Sequence, residues 1–328
     1  MNRTGDDLGA TPPDNEPSVP IRVPRLPRNT LFYNENRLRA RWRFVAYVFT
    51  VLFLYLLLSL VVTNIAHALS LPLDSPYIVF LEEVLLFLIV FLPACVMARV
   101  ERRSVGDYGL PLHVPLARRF SQGCALGIIE IAVLMGSITV FGGYTFGSLN
   151  LHGPEILKWS VYWGLFFVVV GLFEEFTFRG YLQFTLADGI GFWPAAWILS
   201  LGFGAVHLGN KGEGWVGSAG VVMIGLIFAL ALKRTGNLWF VVGWHAAFDF
   251  GETFLFSVPN SGNVFEGHLS NASLHGPIWL TGGTVGPEGS VFSFVTMAAV
   301  ALFIHKAFPA RSGEFGSAGI STPPVTSQ

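Results

Sequence analysis

The sequence predicts an all-α fold, a polytopic membrane bundle of about eight helices with both termini in the cytoplasm. Three observations predict it. The chain is 52% hydrophobic and only 12% charged, with mean hydropathy +0.56. A soluble domain of this length carries about twice that charged fraction. Apolar runs near the length needed to cross a hydrocarbon core recur along the chain, and basic residues gather in alternate loops.

A span needs about 20 mostly apolar residues. The candidates are Phe44–Leu69, Tyr77–Val100, Phe120–Tyr144, Ile156–Leu172 running on toward Asp188, Phe192–Leu208, Val216–Leu232, Leu238–Val258 and Val291–Phe308. Helices are the expected form, because lipid cannot satisfy the backbone N–H and C=O groups of an open strand. Residues 1–40, rich in Pro and Arg, and the tail 309–328 are expected to be disordered, since neither carries enough apolar surface to build a core. The bundle is expected over 41–308. The first apolar run begins too far in, and is too long, for a cleavable signal peptide.

Arg37, Arg39, Arg41 and Arg43 precede the first span. Arg99, Arg102, Arg103, Arg118 and Arg119 flank the loop after the second, Lys233 and Arg234 follow the sixth, and Lys306 and Arg311 end the eighth. Lys211 stands alone between spans five and six, and 259–289 has neither Lys nor Arg. By the positive-inside rule this alternation places both termini in the cytoplasm. The loop 259–289 then faces outward as a connector, or as a lid or re-entrant piece. The net charge of −1 gives no field that would suggest a nucleic-acid partner. Cys95 and Cys124 lie in apolar runs and read as small packing residues.

Ionisable residues inside spans are costly and need a reason. Three groups stand out. In Glu174-Glu175-Phe-Thr-Phe-Arg179-Gly180, Glu175 and Arg179 are spaced i,i+4 with the acid N-terminal, the better order for a helical ion pair. Glu174 points about 100° away around the helix and is free to face a cavity. A carboxylate in a low-dielectric cavity titrates nearer neutrality, as a general base requires. The bland alternative is an ion pair beside a bystander acid. The second group is Phe203-Gly-Ala-Val-His207 with Asn210; a lone histidine in an apolar helix is more often a satisfied core residue. The third, His245-Ala-Ala-Phe-Asp249, places both side chains on one helix face. That suits two ligands of one metal, an acid orienting an imidazole, or an interhelical polar clamp. If spans four and five form a hairpin turning at 188–191, Glu174 lies opposite Ala205, within a turn of His207.

EEFTFRG, FGAVH and HAAFD, in this order on successive polar-bearing spans, resemble the motifs Glu-Glu-x-x-x-Arg, Phe-x-x-x-His and His-x-x-x-Asn/Asp of the CAAX-processing and bacteriocin-processing intramembrane proteases. That family includes the type II prenyl-protein endopeptidases and lysostaphin-resistance-like proteins. The resemblance covers 156–258. It implies that Glu174 and His207 activate a water, and that His245 and Asp249 hold the carbonyl oxygen or a metal. It also implies that Glu175 and Arg179, with Phe203 and Asn210, support the site. Asp249 stands where prenyl-protein members commonly have Asn. An ionised Asp cannot donate to an oxyanion, so a metal ligand, an orienter of His245 or a protonated acid fits it better. Glu174, His207, His245 and Asp249 could hold zinc or another divalent cation, with the metal requirement left open.

The expected activity is therefore hydrolysis of a peptide bond in a membrane-associated protein or peptide, near the cytoplasmic side, through a polar cavity open to the cytoplasm. The lipid bilayer is the surroundings, and a bacterial inner membrane the expected location. A proton-coupled transporter and a non-catalytic scaffold or immunity factor are the competing readings.

Overall fold

The computed structural model describes residues 33–34, 37–112, 116–210 and 212–309. The tail 309–328 beyond its first residue, Lys211, Arg311 and most of 1–40 lie outside the described residues. The chain divides into 1–38 and 39–328. In the first unit the strands β1 (Tyr33–Asn34) and β2 (Arg37–Leu38) pair antiparallel.

The second unit is all-α, as expected from composition. Its long helices are α1 (Ala40–Ala68), α2 (Pro76–Glu101), α3 (Leu116–Val140), α4 (Pro154–Arg179) and α7 (Trp215–Thr235). The shorter helices are α5 (Tyr181–Ile190), α6 (Phe192–His207), α8 (Leu238–Phe250), α9 (Ile278–Thr281) and α10 (Val291–Ala307). Five helices are long and apolar enough to cross a membrane, with α4 and α5 counted together as one stretch of 37 residues. The fifth and eighth expected spans fall on α6 and α10, of 16 and 17 residues. At about 1.5 Å per residue these rise only about 25 Å.

Lipid explains the outer surface. Phe49 and Leu56 of α1 are each 71% exposed, as an apolar face turned to acyl chains would be. Inside, α3 and α8 meet backbone to backbone. A methyl group on Gly123 would stand 2.0 Å from the Phe240 carbonyl oxygen, and one on Gly127 2.3 Å from that of Trp244. Gly243 meets Phe120 in the same way. Small residues spaced by four let membrane helices approach this closely.

Three element boundaries differ from the sequence expectation. Helix α3 ends at Val140, and Tyr144 belongs instead to β3 (Tyr144–Thr145), which pairs with β4 (Ser273–Leu274). The fourth run does not continue unbroken toward Asp188. Gly180, with φ −86° and ψ −126°, leaves the helical region and separates α4 from α5. The seventh run stops as an α-helix at Phe250 and continues as a π turn over Gly251–Leu255. Such turns re-aim side chains and occur often at functional sites.

At the end of the bundle that carries the basic residues, Arg43 of α1 reaches Glu101 of α2 and lies 2.9 Å from Asp188 of α5. The Tyr181 hydroxyl donates to Glu101 at 2.7 Å. This network ties three helices together. The loop 256–290 caps the other end. It is held by β3–β4 and by bonds such as Asn271 N–H to the Ser148 carbonyl at 2.8 Å.

Candidate active site

Helix α4 carries Glu174 and Glu175 close to its C-terminal end. Glu175 is fully buried and Arg179 is 1% exposed, 3.3 Å from it, so the expected ion pair is present. The guanidinium also lies over the rings of Phe203 and Phe228, at 4.4 and 5.6 Å. Gly225 leaves room for it: a methyl group there would stand 2.5 Å from Nη2. Phe203 thus covers Arg179 and also packs edge-on against the His207 ring, with centroids 4.5 Å apart. A planar cation stacked on aromatic faces is a role that lysine fills poorly.

Glu175 has a second partner that sequence spacing does not reveal. His245 Nδ1 of α8 lies 2.8 Å from Glu175 Oε1. That bond fixes the ring, and Nε2 then stands 3.4 Å from Asp249 Oδ2 and 3.7 Å from Glu174 Oε2. Glu175 therefore links the arginine to the imidazole, and Glu174 meets the imidazole from the other side. The expected separation of the two acids holds, with Glu175 bound within the protein and Glu174 turned to the cavity.

His207 is the last residue of α6. Its Nδ1 lies 2.8 Å from the Phe203 carbonyl oxygen, one turn back. It lines the same cavity as Glu174 and lies within electrostatic reach of it. Among the described residues, no hydrogen bond or ion pair joins the two. Asn210 lines the cavity just beyond.

The cavity measures about 710 Å³. Its walls come from α1, α2, α3, α4, α6, α7, α8, α10 and the loop 259–289. Val51, Leu52 and Tyr55 of α1 form one side, and Leu52 and Tyr55 are more than half exposed. The cavity therefore reaches the lipid-facing surface. Its polar lining does not run toward the basic end, as the expected cytoplasmic opening requires. It runs the other way, to Glu213 after α6 and to Asn260, Ser261 and Glu288. The loop is thus a wall of the site and not a remote connector. Glu288 accepts from Ser261 N–H, which holds the turn Pro287–Gly289 against the start of the loop.

The donor set fits a metal poorly. Among the described residues no three His, Cys, Asp or Glu side chains are gathered in an arrangement that could hold an ion.

The fold and site define a multi-pass helical membrane protein with carboxylates and imidazoles converging on an internal cavity. Residues 156–251, which span α4 to the first residue of the π turn, match the family of type II CAAX prenyl endopeptidases, Rce1-like. This bears out the resemblance carried by the three motifs, all of which lie inside the match. A search of curated proteins found no match.

Proposed function

We propose that this protein is an intramembrane endopeptidase that hydrolyses a peptide bond of a membrane-associated protein or peptide. The observation that carries the reading is the convergence of Glu174, His207, His245 and Asp249 on one cavity that also reaches the lipid-facing surface. Glu174 is the general base. Its carboxylate takes a proton from a water that His207 helps to orient, and the water oxygen attacks the scissile carbonyl. His245, turned by the Glu175 bond, offers Nε2 to the oxyanion as it forms. Asp249 contacts that same nitrogen, so of the roles open to it the steering of His245 has geometric support. Proton return from Glu174 to the leaving amine completes the cycle. Both catalytic acids and both imidazoles lie within eight apolar helices that we read as spans, in a bacterial inner membrane.

The test is the purified full-length protein in lipid nanodiscs, offered a panel of prenylated and unprenylated membrane peptides. We expect cleavage of at least one class, with loss of about 10²-fold or more in Glu174→Gln and His207→Ala. Unchanged cleavage in both variants would remove these residues from the site. Proton-driven uptake into proteoliposomes without any cleavage would instead favour a carrier.

A further inference from the structure

The cavity has a polar edge that lies beyond residues 156–251, the stretch that matches the family. Asn260, Ser261 and Asn263 line it from the loop 259–289. They belong to one tight turn. Asn260 N–H donates to the Asn263 carbonyl at 2.9 Å, and Asn263 N–H donates back at 2.8 Å. Between them Ser261 and Gly262 stand at φ 46° and 80°, the left-handed region that a two-residue hairpin turn favours. The rest of the loop holds this turn in place. Gly262 N–H donates to the Val285 carbonyl at 2.8 Å, and Ser261 N–H donates to Glu288. Gly286 lies so close that a methyl group there would stand 2.1 Å from the Pro259 carbonyl oxygen. Glu288 is in turn within electrostatic reach of Asp249, so the turn stands near the catalytic cluster. In this fixed turn one polar group is left over. Asn260 is 7% exposed, and among the described residues its Nδ2 has no hydrogen-bond partner. Asn263 Nδ2, by contrast, donates to the Ser261 carbonyl at 3.4 Å. A buried donor without an acceptor destabilises the fold, so its presence in a cavity wall asks for an acceptor from outside. The Asn260 amide can turn about Cβ–Cγ and present its N–H groups to the cavity.

We propose that Asn260 binds the backbone of the peptide substrate, its side-chain N–H donating to a main-chain carbonyl oxygen near the scissile bond. The proposal rests on the endopeptidase reading and adds a substrate-binding residue to it. A peptide drawn between Phe248, Val285 and Met297 loses water from its carbonyl groups, and each then needs a donor. The unpartnered amide and the dry carbonyl satisfy each other. A contact to the main chain is indifferent to side chains, so it fixes the register of the peptide on the catalytic cluster and not its sequence.

The experiment measures binding, not cleavage, and changes the backbone of the probe without touching a side chain. The full-length protein in nanodiscs is titrated with a fluorescent, lipid-anchored peptide of alternating alanine and serine. Single amide-to-ester replacements, each of which weakens one main-chain carbonyl as an acceptor and removes one N–H, are walked along it. On the unaltered protein we expect one ester position to weaken binding about fivefold. Asn260→Leu, of nearly the same shape, should weaken the all-amide peptide by a similar factor and leave that ester position without further effect. Asn260→Asp, which keeps the shape and loses the donor, should repeat this result. In Asn263→Ala, on the same turn, the ester should still weaken binding as it does on the unaltered protein. A turn that is merely disrupted lowers binding of both peptides and keeps their ratio, so the loss of the ester effect reads the contact itself. Failure of the peptide to bind, or the absence of any sensitive ester position on the unaltered protein, would overturn the proposal, as would an ester effect that persists in the Asn260 variants. Coupling between Asn260 and one ester position without hydrolysis of any peptide would keep the binding residue and remove the endopeptidase reading. Hydrolysis without that coupling would do the reverse.

Discussion

At the scale of single residues, the two adjacent glutamates have different surroundings. Glu174 faces the cavity, so Glu174→Gln should abolish hydrolysis and leave the thermal midpoint nearly unchanged. Glu175 is buried between Arg179 and His245, so its loss should be felt in stability as well as rate. Arg179→Met would leave a buried carboxylate without its permanent cation, and breaking such a pair costs about 3–5 kcal/mol. Glu175→Gln/Arg179→Met should recover much of that loss, because two neutral groups replace one uncompensated charge. Denaturation in detergent checks both, and a double variant no more stable than Arg179→Met would contradict the pairing. The motif residues were legible because ionisable groups stand out in apolar runs. The Glu175–His245 bond was not, since its partners are 70 positions apart and only the packing of α4 on α8 brings them together. Asn260 was invisible for a different reason: nothing in its sequence neighbourhood says that it lines the cavity.

At the scale of elements, the close approach of α3 and α8 sets the position of the site. Helix α8 holds His245 and Asp249, and α3 fixes α8 through Gly123 and Gly127. Gly127→Ala should force the helices apart at Trp244, costing about 1–3 kcal/mol, and should lower activity with it. Gly136→Ala, on the same helix with nothing within 4 Å, should change neither, so thermal unfolding of the pair separates close approach from helix propensity. The glycine pair four residues apart was available in the sequence as a signal for this packing, whereas the break at Gly180 and the π turn depend on tertiary context. The loop element makes a second prediction. Burial pushes the Glu288 carboxyl up to about 8, opposed by the Ser261 N–H and aided by Asp249 and Glu213. The folded loop thus holds the proton more tightly than the unfolded chain. Its contribution to stability is complete below the ordinary carboxylate range and is lost as pH rises through about 8. Protection factors over 259–289, with the base-catalysed intrinsic rate of amide exchange divided out, should therefore be lower at pH 9 than at pH 6, and Glu288→Gln should flatten that difference.

At the scale of the whole molecule, charge and cavity point to opposite ends. The apolar composition identified a membrane bundle because no soluble domain tolerates so little charge, and the basic loops were legible as one end of it. The opening of the site was not legible, since it depends on which helix ends splay. In the structure the polar lining runs to the end with Glu213 and Glu288, away from Arg102, Lys233 and Lys306. If the positive-inside rule holds for this chain, the polar mouth of the cavity lies outside the cytoplasm and substrate enters from there or sideways from lipid. Sidedness can be read with membrane-impermeant thiol reagents in a background lacking Cys95 and Cys124. Leu112→Cys, on the loop after α2 and 80% exposed, reports the basic end; Val264→Cys, 75% exposed, reports the loop end. In intact bacterial spheroplasts Val264→Cys should label at once and Leu112→Cys only after permeabilisation. Asn263→Cys, which lines the cavity, should follow Val264→Cys and be protected by a bound substrate peptide. The reverse pattern would place the acidic mouth in the cytoplasm and make this chain an exception to the charge rule, with access to cytoplasmic peptide ends.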